Sequence, residues 1–196
     1  MFLLMARIYP HILTGSPYMT SEGETFTIWM KSLLYHAYGC TVFNSKGEIV
    51  YRVDNYDNKC SNEVHLMDLR GKILFTIRQK KLLAFGCWNG YRWSGSSINK
   101  EKPWFQVKKY CRMLMRDVAC RITVGYDKYW IVRFANKAAF RIVDVNGDVV
   151  AEAKRKYSSS GVVLGEDVLA LEVVPHMDHS LIMAFVVVYG LIRRRM

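Results

Sequence analysis

Leu181-Ile182-Met183-Ala184-Phe185-Val186-Val187-Val188-Tyr189-Gly190-Leu191-Ile192 is apolar on every face however the backbone is wound, and Arg193, Arg194 and Arg195 follow it at once. Three settings can hold such a segment: a bilayer, a sheet, or an enclosure of other protein. A hydrocarbon core of about 30 Å needs roughly 20 apolar residues in a helix, and this run is clearly shorter. The triple valine keeps a strand open as an alternative. The favoured reading is a helix apolar all round, which needs a sheath, and a barrel of strands supplies one. Asp178 or Ser180 can cap its start, and the arginines suit the negative end of the helix dipole. Leu181, Ile182, Phe185, Val188, Tyr189 and Ile192 are then expected at the centre of the molecule.

If the end of the chain is the contents, the rest must be the wall. One turn recurs three times: Asn44-Ser45-Lys46-Gly47, Asp68-Leu69-Arg70-Gly71 and Asp144-Val145-Asn146-Gly147. Each opens on Asn or Asp, whose side chain caps a type I turn, and ends on Gly, which accepts positive φ. These are hairpin turns, because apolar residues alternate beyond each one. Ile49, Tyr51 and Val53 are expected inward with Glu48, Arg52 and Asp54 outward. Ile73, Phe75 and Ile77 are expected inward against Lys72, Thr76, Arg78 and Lys80. Val149, Ala151 and Ala153 are expected inward against Asp148, Glu152, Lys154 and Lys156. Further strands are predicted at 26–31, 64–67, 88–93, 106–115, 119–124, 129–135, 138–143 and 168–174, with loops at 55–62, 94–103 and 157–165. About a dozen short antiparallel strands make an all-β barrel or sandwich and leave no room for a parallel α/β fold. Residues 1–20 read as a loosely held arm and 21–196 as a single domain.

Composition agrees with one folded unit. The chain has 196 residues, 51% of them hydrophobic, enough to bury a full core. Lys and Arg exceed Asp and Glu by 11 (28 against 17), which favours anionic partners such as membrane headgroups, nucleic acid or acidic proteins. Cys40, Cys60, Cys87, Cys111 and Cys120 are odd in number, scattered, and form no Cys-x-x-Cys pair, so they read as reduced thiols. With no Asn-x-Ser/Thr acceptor, this points to a cytoplasmic or nuclear protein. The apolar start Phe2-Leu3-Leu4 meets Arg7 at once and has no basic residue before it, so a secretory signal is not expected.

The strings Phe26-Thr27-Ile28-Trp29-Met30-Lys31-Ser32-Leu33, Gly39-Cys40-Thr41-Val42-Phe43, Tyr51-Arg52-Val53-Asp54-Asn55-Tyr56 and Met67-Asp68-Leu69-Arg70-Gly71-Lys72-Ile73-Leu74-Phe75-Thr76-Ile77 closely resemble plant LURP-one-related proteins, as does Asp178-His179-Ser180-Leu181-Ile182-Met183-Ala184. The resemblance runs from about Tyr9 to the end, and members tend to begin near Met5. It implies the tubby C-terminal-like fold shared with phospholipid scramblases, a twelve-stranded antiparallel barrel around a hydrophobic C-terminal helix. It also implies an association with plant defence, with membrane or phosphoinositide binding suggested through the distant relatives.

Chemistry is sparse. There is no Gly-x-Ser-x-Gly elbow, no phosphate-binding loop and no dinucleotide fingerprint, and His11, His36, His65, His176 and His179 lack an obvious nucleophile partner. An enzyme is not expected, and no cofactor is. His176-x-x-His179 with Asp178 offers too few ligands for a closed zinc site and reads as cap and loop. Asp54-Asn55-Tyr56-Asp57-Asn58 lacks the glycine and distal Glu of a calcium loop. Trp88, Tyr91, Trp93 and Trp104 suit barrel packing, with insertion at a membrane interface or base stacking as the sharper use. The basic clusters remain: Arg78 with Lys80 and Lys81, Lys108-Lys109 with Arg112 and Arg116, Lys154-Arg155-Lys156, and the terminal Arg193-Arg194-Arg195. They are either a solvated barrel exterior or an anion-binding patch, to which each Lys or Arg near an anionic leaflet adds about 1 kcal/mol. The leading expectation is a monomeric, non-catalytic module docking reversibly on anionic membrane. The alternative is a soluble defence or stress protein acting through a protein partner or transcriptional complex. Nucleic acid is the least favoured partner, since nothing resembles a recognition helix.

Overall fold

The computed structural model describes residues 16–30, 39–54, 63–80, 86–94, 97–98, 102–110, 118–134, 139–165 and 167–193. Its strands are β1 (Glu24–Trp29), β2 (Gly39–Phe43), β3 (Ile49–Asp54), β4 (Glu63–Asp68), β5 (Ile73–Gln79), β6 (Cys87–Ser94), β7 (Ser97–Ile98), β8 (Phe105–Lys109), β9 (Val118–Val124), β10 (Asp127–Arg133), β11 (Phe140–Val143), β12 (Val149–Arg155) and β13 (Val168–Val173), and the chain closes with helix α1 (His179–Ile192). Neighbours follow the order β5-β4-β3-β2-β1-β13-β12-β11-β10-β9-β8-β6, every pair antiparallel, and β6 returns to β5. Twelve strands therefore close a barrel, and closure leaves no open edge to aggregate. The two-residue β7 is an appendage on the end of β6, in a stretch expected to be loop.

All three tetrads turn hairpins with one geometry. In each, the first residue's side-chain oxygen accepts from the backbone N–H two and four positions on, at 2.9 Å: Lys46 and Glu48 to Asn44, Arg70 and Lys72 to Asp68, Asn146 and Asp148 to Asp144. Gly47, Gly71 and Gly147 sit at φ of 80, 78 and 84°, a conformation glycine adopts without strain. Two residues beyond each turn, the pairing register slips. Val42 faces Tyr51 while Phe43 faces Ile49, and the same slip recurs at Leu66/Met67 and at Ile142/Val143. Val50, Leu74 and Val150 are the extra residues of three β-bulges.

The bulges correct the inward assignments made by alternation. An inserted residue shifts the phase of the strand before it, so Leu74 and Val150 are buried while Val149 is 38% exposed and Ile49 and Ile73 are only half-buried. Beyond the bulges, Tyr51, Val53, Phe75, Ile77, Ala151 and Ala153 are buried as the period of two requires. Thr76 lies on the outer side of the wall yet is buried, because the Trp93 indole N–H donates to its hydroxyl at 2.8 Å. β8 is shorter than the run at 106–115, whose last residues lie outside those described, as does the loop at 55–62.

The helix fills the barrel. Ile182 to Gly190 are all buried, and no face is spared, as its sequence demands. Phe185 meets Phe105 edge-on at 5.2 Å and Tyr129 at 5.9 Å, and Tyr189 packs on Phe140 at 4.7 Å. Leu181 and Ile192 are partly buried against the same core. Of the two candidate caps, Asp178 does the work: its carboxylate accepts from the N–H groups of Ser180 and Leu181 at 3.0 and 3.2 Å, so the helix begins at His179. The same carboxylate accepts from the Ser16 hydroxyl at 3.1 Å and pairs with Arg92 at 3.3 Å. The end of the expected arm is thereby tied down. Met19 bridges Asp178, His176 N–H donates to Thr20, and Tyr18 packs on the core.

Two outcomes test this packing. Removing residues 179–196 is expected to abolish cooperative unfolding, seen as loss of the thermal transition by circular dichroism, because each large buried side chain contributes about 2 kcal/mol. A Cβ at Gly90 would lie 2.0 Å from the buried Phe105 ring. Gly90→Ala is therefore expected to lower unfolding stability by about 2 kcal/mol in urea denaturation.

Candidate functional site

The strand registers give the barrel two chemically different ends. All three tetrads and the Gly125-Tyr126 turn lie at the end where the helix starts. There also lie Glu24, Glu48, Asp68, Asp127, Asp144, Asp148 and Asp178, mixed with Lys46, Arg70, Lys72, Arg92 and Lys128. At the other end, where the helix finishes, the strands bring Arg78, Lys80, Lys108, Lys109, Arg133, Arg155, Lys156 and Arg193, against Glu63 and Asp167 among the described acids with described side chains. Cations thus gather at the helix C-terminus and anions at its N-terminus, the sense that the helix dipole favours.

At the basic end a row of residues crosses the outer wall. Lys80 N–H donates to the Cys87 carbonyl at 2.8 Å, Cys87 faces Lys108, Lys108 faces Arg121, and Arg121 faces Trp130. Lys80, Lys108 and Arg121 are exposed and make no ion pair with any described residue. Like charges directly opposite on neighbouring strands repel, so Lys108 and Arg121 together form a local excess that an anion would relieve. Cys87 registers both lysines: burial raises its thiol pKa, and Lys108 and Lys80 pull it down.

Inside the mouth, Arg133 and Arg155 take the inward phase of their strands, and Arg193 lies over the Tyr189 ring at 5.6 Å. Burial, offset by Arg193 and Arg133, raises the Tyr189 hydroxyl. Burial also pushes Cys120 up to about 12, so this thiol is not a ready nucleophile.

The structure brings only some of the sequence candidates together. Lys80 and Lys108 join one row. Lys154 does not: it pairs with Glu152 at 2.8 Å and reaches Glu172 at 4.0 Å, and the Glu152 carboxyl is held below its usual range by its hydrogen bond from Lys154, against burial, with Arg141 assisting. Lys156 is bonded to the Thr27 hydroxyl, and Arg155 faces the mouth rather than the outer wall. Lys81, Arg112 and Arg116 lie outside the described residues. Arg121 and Arg133 were not among the candidates, whereas Arg193 belongs to the terminal basic cluster. Alternation around Cys120-Arg121-Ile122 marks Arg121 as outward, but its place opposite Lys108 depends on a register that one strand alone does not carry.

The histidine pair sits at the opposite mouth and serves the helix. Among the described residues no three His, Cys, Asp or Glu side chains converge as metal ligands. His179 is packed by Tyr18, Phe26 and Tyr51. Burial, with Asp178 and other neighbours, lifts the Tyr51 hydroxyl far above its ordinary pKa, so it keeps its proton in the 2.6 Å hydrogen bond it shares with His179 Nδ1. The other ring nitrogen, Nε2, faces the Glu24 carboxylate at 3.8 Å.

With this architecture in place, similarity becomes informative. The LURP-one-related family profile matches residues 24–190. The chain belongs to the LURP-one-related family. It is 54% identical over 192 residues to the Arabidopsis thaliana protein LURP-one-related 4, covering 96% of this chain and 87% of that one. It is 45% identical over 208 residues to LURP-one-related 3 from the same plant, covering 95% and 92%. An X-ray structure of an Arabidopsis thaliana protein superposes with a TM-score of 0.65 at 16% identity, over 90% of this chain and 94% of that chain, a likeness of fold. No described helix of this LURP-one-related chain is long and apolar enough to cross a membrane.

Burial lowers the His179 pKa, opposed by Glu24 and Asp178. In the unfolded chain His179 takes up its proton near pH 6.5, before the folded form does. Stability is accordingly expected to fall as pH drops below about 6.5 and to level off once the folded form protonates. Urea midpoints at pH 7.5 and 5.5 check this: the drop should be smaller in His179→Gln than in the wild type.

Proposed function

We propose that this LURP-one-related protein is a non-catalytic module that docks reversibly on anionic membrane, phosphoinositide-bearing membrane included, with its basic end first. The observation that carries the reading is the segregation of cations at the helix C-terminal end, with Lys80, Lys108 and Arg121 in one exposed row that lacks ion pairs to described residues. A solvated exterior needs no such sorting. At about 1 kcal/mol per Lys or Arg near an anionic leaflet, four or five of these groups give weak, roughly submillimolar to millimolar, salt-sensitive adsorption rather than a permanent anchor. The association with plant defence that the family resemblance implies fits a protein that reports at a membrane under changing conditions.

A second reading rests on a different observation. Leu69, Tyr126 and Val145 stand exposed on the turns of the opposite end, where a protein partner would find apolar contacts among mixed charges. In that case the molecule is a soluble adaptor in defence or stress signalling, and its association survives high salt.

Co-sedimentation with vesicles separates the two. Binding to phosphatidylserine or phosphoinositide vesicles is expected in low salt, with loss in high salt. Replacing Lys80, Lys108 and Arg121 together by Gln should weaken it about a hundredfold, roughly 3 kcal/mol. Failure to sediment with either vesicle in low salt sinks membrane docking.

A further inference from the structure

β12 and β13 are joined at the basic end by a small hairpin of residues 157–164. Tyr157 bridges Val163, Ser158 and Val162 exchange backbone contact through Ser158 N–H to Val162 C=O at 2.8 Å, and Gly161 N–H returns to Ser158 at 3.0 Å. Tyr157 is 55% exposed, Val162 63%, Val163 39% and Leu164 50%. Tyr157 and Val163 share one face, and Val162 and Leu164 fall on the other by alternation, so both faces of the hairpin carry exposed apolar side chains beside the polar tip Ser158-Ser159-Ser160-Gly161. A connection that rested on the barrel would bury one face and wet the other. This one offers apolar surface in both directions, and it follows directly on Lys154-Arg155-Lys156.

We infer that this hairpin is an insertion element: resting on the membrane-docking reading above, its Tyr157, Val162, Val163 and Leu164 enter the headgroup and upper acyl region of an anionic bilayer while the surrounding cations hold the phosphates. Charge complementarity selects the occupant. The hairpin leaves the barrel at the same end as Lys80, Lys108, Lys109 and Arg193, so a flat anionic surface touches it and them together, on opposite sides of the mouth. Several of its polar groups already find partners within the hairpin or on its stem. Leu164 N–H donates to the Lys156 carbonyl at 3.1 Å, Val162 N–H to the Ser158 hydroxyl at 3.1 Å, and the hydroxyls of Ser158 and Ser160 bond each other at 2.8 Å. Polar groups satisfied within the hairpin lose little when water leaves. Tyr157 at the base has the ring-and-hydroxyl character suited to the headgroup level.

Vesicles of phosphatidylcholine with phosphatidylserine test this, with the full chain throughout. In Tyr157→Trp, the emission in excess of wild type is expected to shift to the blue on vesicle addition and to be quenched by brominated acyl chains. Replacing Val162, Val163 and Leu164 by Asn should weaken binding about tenfold while leaving its salt dependence unchanged, whereas loss of Lys80, Lys108 and Arg121 should flatten the salt dependence. All substituted residues are exposed, and an unchanged thermal transition verifies folding. Wild type that binds vesicles with no blue shift in Tyr157→Trp, and equal affinity in the Asn variant, overturns insertion and leaves docking standing. Wild type that binds no vesicle overturns both.

Discussion

A helix without a polar face is insoluble by itself, and a sheet with twelve strands is unstable with its inner face wet. Each removes the other's difficulty here. The wall supplies Phe105, Tyr129 and Phe140 to Phe185 and Tyr189, and the helix satisfies its own backbone so that from Ile182 to Val188 it presents only apolar side chains to the wall. Only its ends need polar partners, and those sit at the two mouths. At the start, Asp178 takes the free N–H groups and is itself held by Ser16 and Arg92, so the N-terminal segment, β6 and the helix share one carboxylate. At the finish, the Arg193 backbone N–H donates to the Tyr189 and Leu191 carbonyls. The polarity of the surface runs in the same sense as the helix dipole.

Much of this was legible in the residues. An all-apolar run too short for a bilayer demands an enclosure, and three Asx-x-x-Gly tetrads each announce a hairpin. Their side-chain and glycine requirements are local, so a single sequence states them fully. The bulges behind the turns are another matter. Val150 and Val149 are chemically identical, and which one enters the core depends on where the partner strand, with Ile142 and Val143, sets its ladder. Alternation read from one strand counts phase without seeing the slip.

The candidate site was legible only in outline for the same reason. The excess of Lys and Arg is a property of the whole chain, but a row made of Lys80, Lys108 and Arg121 draws on three strands whose alignment is set by pairings far apart in sequence. Lys154 looks equivalent to Lys108 in a linear reading. In the fold it spends its charge on Glu152, whose strand-mate Glu172 stands opposite. Neighbouring basic residues in sequence were thus separated, and distant ones were assembled.

The lopsided arrangement of charge along the barrel axis has a dynamical side. A body carrying an excess of cations at one pole and mixed charges at the other feels a torque in any electric field, and within a Debye length of a negatively charged surface that torque acts before contact. Tumbling is then biased, with the helix C-terminal pole leading. On the proposed docking, a collision that would otherwise have to be repeated in many orientations arrives close to the one that binds, so the gain falls on the speed of capture more than on the strength of holding.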